Sequence, residues 1–152
     1  MEKVSLSIFA DKLNEVMPVI MKGFGRRLVK ELCKGNITLP QFLILESIYR
    51  EGESRMTDLA RCMNVTTAAM TGLVDRLVRD NYLERVYDNS DRRIIKVKLT
   101  AAGNDLIKRV NERRRQMVIR IFGKISEKDR LDYLRILTQI KDVLLKDKCP
   151  EG

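Results

Sequence analysis

Thr66-Thr67-Ala68-Ala69 and Asp91-Arg92-Arg93 are the places where residue type and spacing offer chemistry in this chain. In the first, a hydroxyl able to cap a helix is followed by small side chains. Such a helix start can sink into the major groove of a DNA duplex, with its N–H groups toward phosphates and its hydroxyls and methyls toward base edges. By themselves these four residues are an ordinary N-cap and first turn. The second run changes the weighing. Guanidinium groups on an exposed turn suit a narrow, electronegative minor groove. This chemistry is recognition of a polyanion, with no bond made or broken.

Composition excludes much else. The chain has no histidine, which removes imidazole acid–base catalysis, Ser-His-Asp and Cys-His nucleophiles, and nearly all zinc sites. It also lacks a phosphate-binding glycine loop, a paired-carboxylate motif and a metal motif, so neither an enzyme nor a cofactor or metal is expected. Thirty basic residues against 21 acidic ones leave +9, a charge that favours a polyanionic partner. The surplus is densest after residue 98, around Arg113-Arg114-Arg115, where a solvated helix face is the plainer reading. Cys33, Cys62 and Cys149 are odd in number and lack CxxC spacing, so a disulfide framework is not expected and a reducing cytoplasm is. No stretch approaches the roughly 20 apolar residues of a membrane span, and the charged N-terminus does not read as a signal peptide.

The elements that must position the two runs follow from periodicity. Leu6, Phe9, Leu13, Val16, Met17, Ile20, Phe24, Leu28 and Leu32 recur at three and four, one face of a long helix. Pro18, Gly23 and Gly25 predict a bend or interruption within it, and Gly35 a left-handed cap at its end. Thr38-Leu-Pro-Gln41 is a capping box opening a second helix that stops at Gly52. A short helix from about Met56 turns Leu59, Ala60 and Met63 inward and stops at Asn64. Thr66 then caps a helix over 67–79 with Met70, Leu73, Val74 and Leu77 as its apolar stripe, and Asn81 takes the left-handed position after it. Runs 82–87 and 94–99 read as a β-hairpin around a polar loop. Thr100 and Ser126 cap two final helices. The expected fold is mainly α with a small β-hairpin wing: a winged helix-turn-helix between terminal helices, as one domain over 1–152.

The stretch Val65-Thr-Thr-Ala-Ala-Met-Thr-Gly-Leu-Val-Asp-Arg-Leu77, with Leu83-Glu-Arg85, Asp88-Asn-Ser-Asp-Arg-Arg93 and Leu99-Thr-Ala-Ala-Gly103, resembles the MarR family of transcription regulators. The likeness is sharpest from about Leu59 to Gly103. It implies a homodimer on an inverted-repeat operator in double-stranded DNA, acting as a repressor. Residues 1–35 and 104–152 would form the dimer and 39–100 the DNA-binding lobe. By position, Thr66, Thr67, Ala68, Ala69, Thr71 and Arg76 would meet the major groove, and Arg92 and Arg93 the minor groove. Asp75 and Asp91 would hold helix and wing in place by pairing with arginines. Gly72 departs from the polar or basic residue often found there, and costs roughly 1 kcal/mol against alanine in a helix.

The terminal apolar stripes are wider than so small a core can cover, which points independently to a second copy. The family commonly binds small aromatic or lipophilic acids, and Met17, Met21, Phe24, Phe42 and Met117 could line such a cavity, although apolar stripes of this kind are more often core. Two alternatives stand beside this reading. One is a redox-sensing regulator acting through Cys33, whose neighbour Lys34 would lower the thiol pKa. The other is a winged-helix module that binds protein rather than DNA.

Overall fold

Thr38 begins the second helix as its spacing requires. Its hydroxyl accepts the Gln41 N–H while the Gln41 side chain takes the Thr38 N–H at 2.8 Å, closing the capping box. The computed structural model describes residues 5–146. In chain order the elements are α1 (Leu6–Lys34), α2 (Leu39–Glu51), β1 (Glu53–Arg55), α3 (Met56–Cys62), α4 (Thr67–Arg79), β2 (Leu83–Tyr87), β3 (Ile95–Leu99), α5 (Ala101–Phe122) and α6 (Glu127–Lys146). The chain divides into two compact units, one up to Glu112 and the other from Arg113, so that α5 contributes to both.

In the first unit, α1 runs unbroken through Pro18, Gly23 and Gly25, contrary to the interruption expected there. Proline removes one backbone donor from a helix of 29 residues, and the apolar face continues on either side of it. The expected cap at Gly35 is also corrected. Gly35 has φ −89°, and the left-handed turn falls one residue later on Asn36, at φ 53°. A Cβ on Gly35 would stand 2.9 Å from Leu106 Cδ1, the far end of a flexible side chain that would have to shift. Asn81 takes the left-handed position expected of it, at φ 62°, and Asn64, the expected stop of α3, is left-handed too, at φ 51°.

The core gathers Phe42, Ile44, Leu45 and Ile48 of α2, Leu59 and Ala60 of α3, Met70, Val74 and Leu77 of α4, and Leu106, Ile107 and Val110 of α5. Leu32, Ile37, Leu83 and Val97 close it. One strand escaped the periodicity. β1 adds to the β2–β3 hairpin as a third antiparallel strand in the order β1-β3-β2, with Ser54 opposite Val97. It has no apolar residue, and its one buried side chain, Ser54, donates to Glu51 at 2.9 Å.

In the second unit, Ser126 caps α6 by accepting the Asp129 N–H. Arg130 donates to the carbonyls of Phe122 and Ile125, and the rings of Phe122 and Tyr133 lie 5.4 Å apart. No residue of α6 is buried. Its Leu131, Leu134, Leu137, Ile140 and Leu144 are all exposed, as are Phe9, Leu13, Val16 and Ile20 of α1.

Candidate nucleic-acid interface

Helix α4 turns Met70, Val74 and Leu77 into the core, so Ala68, Gly72 and Arg79 occupy the opposite face by the 100° advance of a helix. Thr66, Thr67, Ala68, Ala69, Thr71 and Arg76 are all exposed. The Thr66 hydroxyl accepts the Ala69 N–H at 3.1 Å. The N–H groups of Thr67 and Ala68, at N1 and N2, point out of the helix start, where an anion or base edge could meet them. The Thr71 hydroxyl donates to the Thr67 carbonyl at 2.9 Å, which leaves its methyl and oxygen lone pairs outward. A Cβ on Gly72 would meet nothing within 4 Å, so the fold itself does not require glycine there. The turn before α4 is tight: Val65 N–H reaches the Ala60 carbonyl at 3.0 Å across left-handed Asn64.

Asp75, on the exposed flank of α4, pairs with Arg85 of β2 and ties the helix to the sheet that carries the wing. The wing loop is built from carboxylate-to-amide bonds. Asp88 accepts the N–H groups of Ser90 and Asp91 at 2.9 and 3.3 Å, and Asp91 accepts that of Arg93 at 2.9 Å. Asp91 therefore shapes the loop through the Arg93 backbone and makes no ion pair with an arginine among the described residues. The side chains of Arg92 and Arg93 are exposed and free of hydrogen bonds and ion pairs among the described residues. Two uncommitted guanidinium groups thus stand at the end of an ordered loop.

One residue of this region was not visible in the sequence. Lys96 of β3 donates to Glu53 of β1 at 2.7 Å and to Asp88 at 2.8 Å. Its bond to Asp88, helped by the Ser90 N–H, holds the pKa of the Asp88 carboxyl at about 2, and the same pairing raises Lys96 above the usual lysine range. Glu53 and Lys96 stand 43 positions apart, beyond the reach of local spacing.

The other expected positions scatter. Phe42 is enclosed in the core at 1% exposure, Met17 and Met21 are exposed on α1, and Phe24 is half-buried. Met117 is half-buried in the second unit. Cys33 is exposed, and neighbouring Lys34 is engaged by Glu31 at 2.9 Å. Cys62 is exposed as well, with Leu59 and Ala60 on the inward side of α3. Cys149 lies outside the described residues.

A helix-turn-helix followed by a sheet-borne loop defines a winged helix-turn-helix protein. Comparison with known proteins agrees. The MarR family model matches residues 37–95. The chain is 30% identical to the transcriptional regulator Tm0710 of Thermotoga maritima, covering 93% of this chain and 99% of that one with a TM-score of 0.72. It is 24% identical to the transcriptional repressor MdtR of Bacillus subtilis over 91% of this chain and 92% of MdtR. A point mutant of S. aureus MepR, solved bound to an oligodeoxyribonucleotide, shares the fold with a TM-score of 0.69, 20% identity and coverage of 86% and 96%. The chain belongs to the MarR family of helix-turn-helix transcriptional regulators, which are not enzymes. Among the described residues no helix is long and apolar enough to cross a membrane.

Proposed function

We propose that this regulator is a cytoplasmic homodimeric repressor that binds an inverted repeat in double-stranded DNA and is released by a small aromatic or lipophilic acid. The observation that carries the DNA reading is the pair of free guanidinium groups at Arg92 and Arg93, on a wing tied through Arg85 and Asp75 to α4, whose start is exposed. Thr66, Thr67, Ala68, Ala69, Thr71 and Arg76 then face the major groove and the two arginines the minor groove. The exposed apolar faces of α1 and α6 support a second copy as the partner. A relative named as a repressor supports the sign of regulation, and one solved on an oligonucleotide supports DNA as the target.

Selection of bound DNA from a random pool supplies the operator and tests this reading. Arg92→Ala is expected to weaken operator binding and to flatten its salt dependence by about one unit of slope for each phosphate no longer neutralised, with no change in melting temperature. Thr71→Ala is expected to relax base preference, reducing discrimination by about 1–3 kcal/mol at the base it reads. Equal operator affinity for Arg92→Ala and the unmodified protein would refute the wing assignment.

Release by a ligand follows from geometry in the DNA. Two recognition helices must stand roughly 34–36 Å apart to enter successive major grooves. A compound that prefers another spacing lowers DNA affinity tenfold for about each 1.4 kcal/mol of preference. Met17, Met21 and Phe24 of α1 are the candidate lining, and methionine adapts to varied ligands. Titrating salicylate-type acids against a labelled operator is expected to weaken binding, and the same acids should raise the melting temperature of the free protein. Acids without effect, together with a peroxide response abolished by Cys33→Ser, would replace this reading by a redox one.

A further inference from the structure

The wing loop has no apolar anchor between Asp88 and Arg93, and all of its residues after Asp88 are exposed up to Ile94. Its order rests on a chain of polar contacts: Glu53 to Lys96, Lys96 to Asp88, Asp88 to the Ser90 and Asp91 amides, and Asp91 to the Arg93 amide. The Lys96 and Asp88 side chains are sheltered, at 22% and 15% exposure, so their pairing is screened less than an ordinary surface ion pair. Two carboxylates and one ammonium leave the triad of Glu53, Lys96 and Asp88 with a net negative charge. A negative cluster at the base of an element that approaches DNA opposes binding through its charge, so its contribution must come from geometry. Lys96 itself has two of its three N–H donors committed to carboxylates.

We propose that Lys96 is a positioning residue for DNA binding: by bridging β1 to Asp88 it fixes the loop in the conformation that presents Arg92 and Arg93. The proposal rests on the DNA-binding reading above. The clamp joins the edge strand β1 to Asp88 at the base of the wing loop across β3, so the loop is held from both sides of the sheet. The loop conformation is set before DNA arrives, and the ordering cost is met on folding rather than on binding.

Asp88→Asn separates geometry from charge. It removes the ion pair and one negative charge, and charge alone would then raise affinity for DNA. The expected result is the opposite sign, an operator affinity lowered about tenfold, as for other coupled pairs in contact. Lys96→Met should match it. Both losses should vanish when Arg92 and Arg93 are already alanine, because a clamp that acts through the arginines has nothing left to position. A general structural defect would persist in that background. Amide hydrogen exchange at Ser90, Asp91 and Arg93 should accelerate in both variants while the melting temperature stays near that of the unmodified protein.

Unchanged or tighter operator binding by Asp88→Asn would overturn the proposal, as would losses of equal size in the presence and absence of the two arginines, or unchanged exchange in Lys96→Met. An unmodified protein that selects no sequence from a random DNA pool would overturn the DNA reading itself, and the clamp's role with it.

Discussion

Gly103→Ala is expected to destabilise the first unit by about 3 kcal/mol or more, at the upper end of what overpacking costs. The added Cβ would stand 2.1 Å from the Tyr82 carbonyl oxygen, 3.1 Å from its carbon and 3.0 Å from Leu99 Cδ2. The carbonyl has no room to retreat. It accepts the Thr100 N–H at 3.1 Å, the Tyr82 N–H is held by Leu77 at 2.8 Å, and the Tyr82 hydroxyl donates to the Gly35 carbonyl at 3.0 Å. The first turn of α5 would have to move away from the start of β2, which opens the packing of Leu106 and Ile107. The sign is diagnostic, because glycine to alanine in an open helix interior gains roughly 0.5–1 kcal/mol. Gly72→Ala supplies that comparison: its Cβ meets nothing within 4 Å, so the variant is expected to be more stable than the unmodified protein. Urea midpoints of the two variants check both signs. A Gly103→Ala protein as stable as the unmodified chain would show that α5 shifts at little cost.

Replacing Leu134 and Leu137 by aspartate is expected to convert a dimer to a monomer. The two side chains are 61% and 41% exposed in the single chain, so charges there cost its own fold little. Burial of each leucine in a partner would contribute about 1.5–3 kcal/mol, and an unpaired buried carboxylate adds a further penalty. Both subunits carry the changes, so the dimer loses four such leucines, about 6 kcal/mol or more, and its dissociation constant rises by about ten-thousandfold or more at 1.4 kcal/mol per decade. Sedimentation at micromolar concentration reads the change, and the operator affinity should fall with it. Sedimentation of the unmodified protein as a monomer would refute the dimer.

What was legible in the sequence was local. Thr38, Thr66, Thr100 and Ser126 each accept an N–H three residues on, and that geometry is written in spacing alone. Asn64 and Asn81 were readable because few residues tolerate positive φ. The misreadings lie elsewhere. β1 is Glu-Ser-Arg, polar throughout, and becomes a strand only because β3 offers an edge more than 40 residues away. Gly35 looked like a left-handed cap, but the positive φ falls one residue later, on Asn36. The wing was legible as a loop with two arginines, whereas the lysine that braces it depends on sheet order, which no local pattern encodes.

The β1-β3-β2 order also bears on how copies meet. An open sheet invites a neighbour to add a strand at its edge. One edge here is three residues long, and the other carries Glu84 and Arg85, with Arg85 committed to Asp75. Both edges therefore carry charged side chains, Glu53 and Arg55 on β1 and Glu84 and Arg85 on β2. Charged side chains and a short strand of this kind are what blunt strand-by-strand growth at a sheet edge, which would leave the helices as the meeting surface of the proposed dimer.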